Sequence, residues 1–126
     1  MSDLIPFENA SYQTEQAFIV SEDMTAVALE QTIVTVSTGS GGKKHLAGTG
    51  MVRNILLVEI SEESDDLDLI LDFGGEYKYR MKTPTISAGK VFSPTTKSSI
   101  RFSPVDPWHQ ISEPEFEALL GQLKFL

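Results

Sequence analysis

DLDLILDFGGEYKYRMK, residues 66–82, spells out a β-hairpin together with its register. Leu67, Leu69, Leu71 and Phe73 alternate with Asp66, Asp68, Ile70 and Asp72. Beyond Gly74-Gly75, Tyr77, Tyr79 and Met81 alternate with Lys78, Arg80 and Lys82. A period of two is the mark of a strand with one buried face. A Gly-Gly loop alone would set Phe73 against Glu76 and Leu71 against Lys78, apolar opposite charged on each rung. Adding Glu76 to the loop sets Phe73 against Tyr77, Leu71 against Tyr79 and Leu69 against Met81. The other face then matches Asp72 with Lys78, Ile70 with Arg80 and Asp68 with Lys82. A five-residue loop keeps these pairs, so parity is the prediction; a slip of one residue would turn a whole strand face over. Glycine supplies the left-handed position that such loops need. The odd-numbered face is expected inward and the charged face in water. Each cross-strand ion pair there adds about 0.2–1 kcal/mol, enough to specify register more than to stabilise it.

The charge around this hairpin is segregated. Glu59, Glu62, Glu63, Asp65, Asp66, Asp68, Asp72 and Glu76 fall between residues 54 and 76, with no base among them. Lys78, Arg80, Lys82, Lys90, Lys97 and Arg101 fall between 77 and 105, with no acid. Pairing within the sheet accounts for much of this; a bipolar surface that orients a partner is the sharper reading. The net charge of −8 argues against duplex nucleic acid as a partner. Aromatics interleaved with bases in 77–105 would suit single strands, but the tyrosines share parity with Leu69 and Leu71.

A chain of 126 residues, 40% hydrophobic, is long enough to bury a core. It holds no cysteine, hence no disulfide and no thiolate chemistry. The start, MSDLIPFENA, shows no classical secretion signal, and no apolar run approaches a membrane span. The expected location is the cytoplasm, or a particle assembled there.

Along the chain, residues 1–15 read as an extended N-terminal arm and 16–126 as one globular β-rich domain. Gln16–Val20 is an expected strand. Residues 21–31 fit either a short helix capped by Ser21 or an extended strand, and Thr32–Ser37 a strand. Residues 37–50, STGSGGKKHLAGTG, carry five of the nine glycines and read as a flexible loop or a wide hairpin connection. Met51–Ile60 reads as a strand apolar on both faces, and 61–66 as an acidic turn. KVFSP at 90–94 and IRFSP at 100–104 mark two short strands near 86–92 and 98–103. Ser112 and Glu115 have capping-box spacing, and Phe116, Leu119, Leu120 and Leu123 form one apolar stripe. This predicts an amphipathic helix over about 113–124, docked on the domain's own sheet. The expected fold is therefore mainly β: a small antiparallel sandwich or barrel-like sheet of about six to eight strands with one C-terminal helix.

Site chemistry is sparse. The glycine-rich segment fails as a phosphate loop, because Ser37 stands where the first glycine belongs, Lys44 follows Lys43, and a strand comes next. From Asp65, an EF-hand would need ligands where Leu67 and Leu69 stand. Two histidines, His45 and His109, do not complete a zinc site. No nucleophile sits in a recognisable setting. No catalytic residue, metal or cofactor is assigned. The candidate partner-binding residues are the basic spot Lys43, Lys44 and His45, the lone Trp108, and Phe125 at the C-terminal end. The expected function is a non-enzymatic protein–protein interaction module, contacting another protein or copies of itself. It would be a subunit of a larger assembly, such as a virion or phage structural component, or a small inhibitory or immunity protein. The alternative is a small-ligand-binding β-barrel with a cavity lined by the odd face of the hairpin; a single-stranded nucleic-acid binder or an enzyme ranks lower.

Overall fold

The computed structural model describes residues 8–63, 66–88, 97–105 and 109–126. Eleven strands and two α-helices lie among them: β1 (Ala10–Gln13), β2 (Gln16–Val20), β3 (Thr25–Ala28), β4 (Glu30–Thr38), β5 (Lys44–Arg53), α1 (Asn54–Glu63), β6 (Asp68–Asp72), β7 (Lys78–Met81), β8 (Thr85–Ala88), β9 (Lys97–Ser103), β10 (His109–Gln110), α2 (Glu113–Gln122) and β11 (Lys124–Phe125). They form a five-stranded sheet, β1-β4-β5-β9-β8, and a six-stranded one, β10-β7-β6-β2-β3-β11. The two sheets do not close into a barrel. The fold is thus the expected β-rich sandwich, with more and shorter strands and one further helix. Two residue-long stubs, β10 and β11, account for part of the higher strand count.

The hairpin takes the register that its sequence dictates. Leu71 pairs with Tyr79, Leu69 with Met81, Ile70 with Arg80 and Asp72 with Lys78. The Phe73 N–H donates to the Tyr77 carbonyl at 2.9 Å, and Gly74 and Gly75 take positive φ of 98° and 56°. Leu69, Leu71, Tyr79 and Met81 then pack with Ala17, Ile19, Val34, Leu46, Ile100 and Phe102 in the core between the sheets.

The opposite face of the hairpin is not wet, which corrects the sequence reading. Ile70 joins Phe18, Val20, Ala26 and Phe116 in a second core under α2. Asp72 and Lys78 are buried with it, 3.6 Å apart. The Asp72 carboxylate also accepts the Gly74 N–H at 2.8 Å. The Lys78 ammonium donates to the Gly75 carbonyl and lies 5.3 Å from the Phe116 ring centre. Asp68, expected opposite Lys82, instead accepts from Arg80 at 2.7 and 2.9 Å. The molecule is therefore three layers: sheet, sheet, helix. α2 begins at the predicted capping box, with the Ser112 hydroxyl accepting from Glu115 N–H at 3.2 Å.

Further segments depart, wholly or in part, from the sequence reading. The strand read over 51–60 ends at Arg53, and α1 takes over at Asn54. ILLV at 55–58 is apolar at every position, so it carries no period to separate helix from strand. The helix sorts it, burying Leu57 and Ile60 and leaving Ile55 and Val58 exposed. The stretch 37–50 is not a flexible loop; it is a hairpin connection, as the alternative reading had it, but a tight one flanked by strand. β4 runs to Thr38, a single 3-10 turn spans Ser40–Gly42, and β5 starts at Lys44. Over 21–31 the extended alternative holds rather than the helix: β3 and the start of β4 follow a tight turn at 21–24, with Met24 at φ 70° and the Thr25 N–H bonded to Ser21 Oγ and Asp23 Oδ1. Part of the expected N-terminal arm is β1, and the strand expected near 86–92 is described only as β8.

Gly48 shows why a strand can be rich in glycine. It faces Phe102 directly across β5 and β9, and a Cβ built on it would meet the Phe102 ring at 2.1 Å. The ring fills the space that a side chain at 48 would need. Gly48→Ala is expected to lower stability by about 1–3 kcal/mol through overpacking. Adding Phe102→Leu should recover part of that loss in a denaturant double-mutant cycle. A Gly48→Ala protein as stable as wild type would show that the ring can move aside freely.

The buried pair yields a second expectation. Lys78→Met leaves the Asp72 carboxylate buried without its cation and should cost about 3–5 kcal/mol. Asp72→Asn combined with Lys78→Met should lie closer to wild type than Lys78→Met alone.

Candidate functional site

The residues singled out in the sequence do not converge. Lys43, Lys44 and His45 sit at and just after the β4–β5 turn of the five-stranded sheet. Lys43 accepts the Gly39 N–H at 2.7 Å, Lys44 stands opposite Thr38 and His45 opposite Ser37. The His45 imidazole lies over Gly39, where a Cβ would come within 2.6 Å of Nε2. Phe125 is on β11, at the edge of the other sheet, edge-on to Phe18 at 5.3 Å, and about half exposed. Trp108 lies outside the described residues.

What the fold does bring together is one continuous side of the molecule, at the end of the sandwich bounded by β8. Two adjoining depressions lie there, and Thr83 belongs to both. The first, about 290 Å³, is lined by Leu57 and Ser61 of α1, by Leu67, by Thr83 and Pro84 just ahead of β8, and by Ile86 and Ala88 on it. Leu57 and Ser61 are one helical turn apart, and exposed Val58 flanks Ser61 on the same helix surface. The second, about 380 Å³, is polar: Ser21, Glu22, Asp66, Asp68, Arg80, Lys82 and Thr83. Asp68 is spoken for, holding Arg80 and accepting the Thr83 N–H at 3.0 Å. That bond helps hold Thr83 at φ 39°, a left-handed conformation that threonine rarely takes.

The carboxyls of this shelf differ in setting. The Glu22 carboxyl is held above its usual value, first by its hydrogen bond with Asp66, then by the Asp66 charge, burial and the Asp68 charge. Asp23, on the same turn, is pulled down to about 2 by hydrogen bonds from Ser21 and Thr25. Among the described residues no three histidine or carboxylate side chains converge on a metal position.

β8 itself is the more telling feature. It pairs with β9 on one side and with no strand on the other among the described residues. Its sequence, TISA, has no charge and no proline. Natural proteins guard such edges with lysine, proline, bulges or coverage, because unpaired N–H and C=O groups template another strand. At the far edge of the same sheet, β1, with sequence ASYQ, likewise has no charge, no proline and no second strand partner among the described residues. The edges of the other sheet are the two-residue β10 and β11. The sequence predicted a strand near 86–92, overlapping β8, but not its place at a sheet edge, because strand order is a tertiary fact.

Comparison of the chain with family models, with curated proteins and with solved structures finds no significant match in any of the three.

The carboxyl pair gives a pH expectation. A raised folded value means that the protonated Glu22 favours the folded state fully below the ordinary value of 4.5. That contribution is lost as pH rises through the raised value. Glu22→Gln should therefore melt above wild type at neutral pH, with the difference closing as pH falls to about 4. A constant difference across that range would show that Glu22 does not feel Asp66.

Proposed function

We propose that this chain is a non-enzymatic protein-interaction module, an assembly subunit whose contacts are made by strand addition at the open edges of its five-stranded sheet. The observation behind this reading is β8: a solvent-edge strand without charge or proline, beside an apolar groove. An added strand would bond its backbone to β8 and send alternate side chains into the groove against Leu57, Leu67 and Ile86. Each new backbone hydrogen bond contributes about 0.5–1.5 kcal/mol net. A four-residue edge therefore gives weak binding unless groove contacts add to it, about 1.5–3 kcal/mol for one well-buried Leu or Ile. The groove thus selects among partners that any free edge would accept. A ligand-binding barrel has less in its favour, since Leu69, Leu71 and Met81 are fully buried in packed core rather than lining a cavity.

The test uses edge variants. Ile86→Lys points a charge into the groove, and Thr85→Lys with Ser87→Lys charges the exposed side of the same strand. Immobilised wild type should retain a protein from the source cell that both variants lose. Added back to wild type, that protein should slow hydrogen exchange at the β8 amides. Equal recovery by wild type and folded variants, or unchanged exchange at β8, overturns the reading.

A further inference from the structure

We infer that the two open edges of the five-stranded sheet are made for each other: β1 of one copy adds to β8 of the next, joining copies head to tail into a ring or filament. The inference rests on the reading of β1 and β8 as binding edges and names their partner. Four observations carry it.

Direction comes first. β1 to β4, β4 to β5, β5 to β9 and β9 to β8 are all antiparallel, so β1 and β8 run the same way. A second copy placed beside the first without turning over brings β1 alongside β8 as a parallel pair, with both cores on one side. Register comes next. Tyr12, Val34, Gly48, Phe102 and Ile86 form one unbroken row across the sheet. Its inner face ends in a partly buried Tyr12 at one edge and Ile86 at the other, both packed against the core. Continuing that row into the next copy sets Tyr12 beside Ile86, at the mouth of the groove. The row on the outer face, Gln13, Ile33, Thr49, Arg101 and Ser87, continues likewise, with Gln13 beside Ser87.

Length and composition match: each edge is four residues without charge or proline. Charge also matches. In the same register Glu8, exposed just ahead of β1, falls beside Lys82, exposed just ahead of β8. Acid meets base at the point where the uncharged strands begin. A two-fold contact of β8 with β8, or β1 with β1, has no such pairing available. A heterologous contact of this kind generates a ring where the rotation closes and a filament where it does not.

The chain holds no cysteine, so engineered thiols report the contact cleanly. The double variant Gln13→Cys with Ser87→Cys places one thiol on each edge, at exposed positions of the outer face. Treated with a short bis-maleimide, it should give a ladder of covalent multimers. Gln13→Cys alone should stay monomeric, and so should Ser87→Cys alone. Thr49→Cys with Ser87→Cys, pairing the edge with the sheet centre, should give no ladder. Light scattering on the unmodified chain should show molar mass rising with concentration, and Glu8→Lys should lower it at a given concentration. Glu8→Lys with Lys82→Glu should restore it. Dimers from Ser87→Cys alone would replace this contact with a two-fold one and overturn the inference. A wild type monomeric at every concentration, with no ladder from the folded double variant, also overturns it. If that monomer still protects β8 by binding another protein, the strand-addition reading survives and only self-pairing falls.

Discussion

β6 is buried on both faces, and the rest of the molecule follows from that constraint. Leu69, Ile70 and Leu71 are each fully buried, two facing the sheet opposite and one facing α2. An antiparallel strand ordinarily keeps one face in water. Here the second face must be covered, so the C-terminal helix is part of the core and not an appendage. Its Phe116 is the largest fully buried side chain among the described residues, sitting over Ile70 and Phe18. Covering that face also removes water from Asp72 and Lys78. Desolvating two charges costs several kcal/mol per ion, and their attraction offsets this only when the remaining donors and acceptors are satisfied. Gly74 N–H and the Gly75 carbonyl satisfy them. The pair therefore secures the register of the hairpin more than its depth of stability.

The two sheets end up unequal. The six-stranded sheet is covered on both faces, and its edges shrink to two-residue strands, one of them formed by the chain doubling back after α2 to pair with β3. The five-stranded sheet is covered on one face only. Its outer face carries Thr35, Ser37, Ala47, Thr49, Ser99 and Ser87 in water, and its edges stay four residues long. The face covered by α2 lies on one side and the longer edge strands on the other. On the proposed reading, that division is why the open sheet, and not the charged hairpin, would receive a partner.

The hairpin was legible because apolar and charged residues both alternate there, and two patterns agreeing on one register leave little freedom. The C-terminal helix was legible from its capping box and stripe. Its docking surface was written more faintly: Ile70, the one apolar residue among the acids of the charged face, marks where α2 lands. α1 was illegible because Ile55–Val58 is apolar throughout, and only the tertiary core at Leu57 and Ile60 imposes a helical period. The glycines of β5 misled for a different reason. What requires Gly48 is Phe102, far along the chain, so a local reading sees flexibility where the structure has a close-packed strand. The basic spot Lys43–His45 drew attention by contrast with an acidic chain. The edges drew none, since an absence of charge over four residues signals nothing until strand order is known.

Self-addition must contend with a net charge of −8 on each copy. At physiological ionic strength the Debye length is about 8 Å, so most of that charge, spread over a domain several times wider, is screened between neighbours. What remains is local, and locally the two edges are not both acidic: Glu8 leads into β1 and Lys82 into β8. In the proposed contact, like-charged copies would repel far apart; close in, the facing ends would attract and the backbone groups would pair. A contact built this way resists promiscuous sticking while permitting one alignment. Backbone pairing would supply an affinity common to any free edge, and the groove with its flanking charges would decide which strand is admitted. On the proposed reading, the exposed edge is tolerable in an otherwise well-covered protein because only a strand of matching direction, length and flanking charge can use it fully.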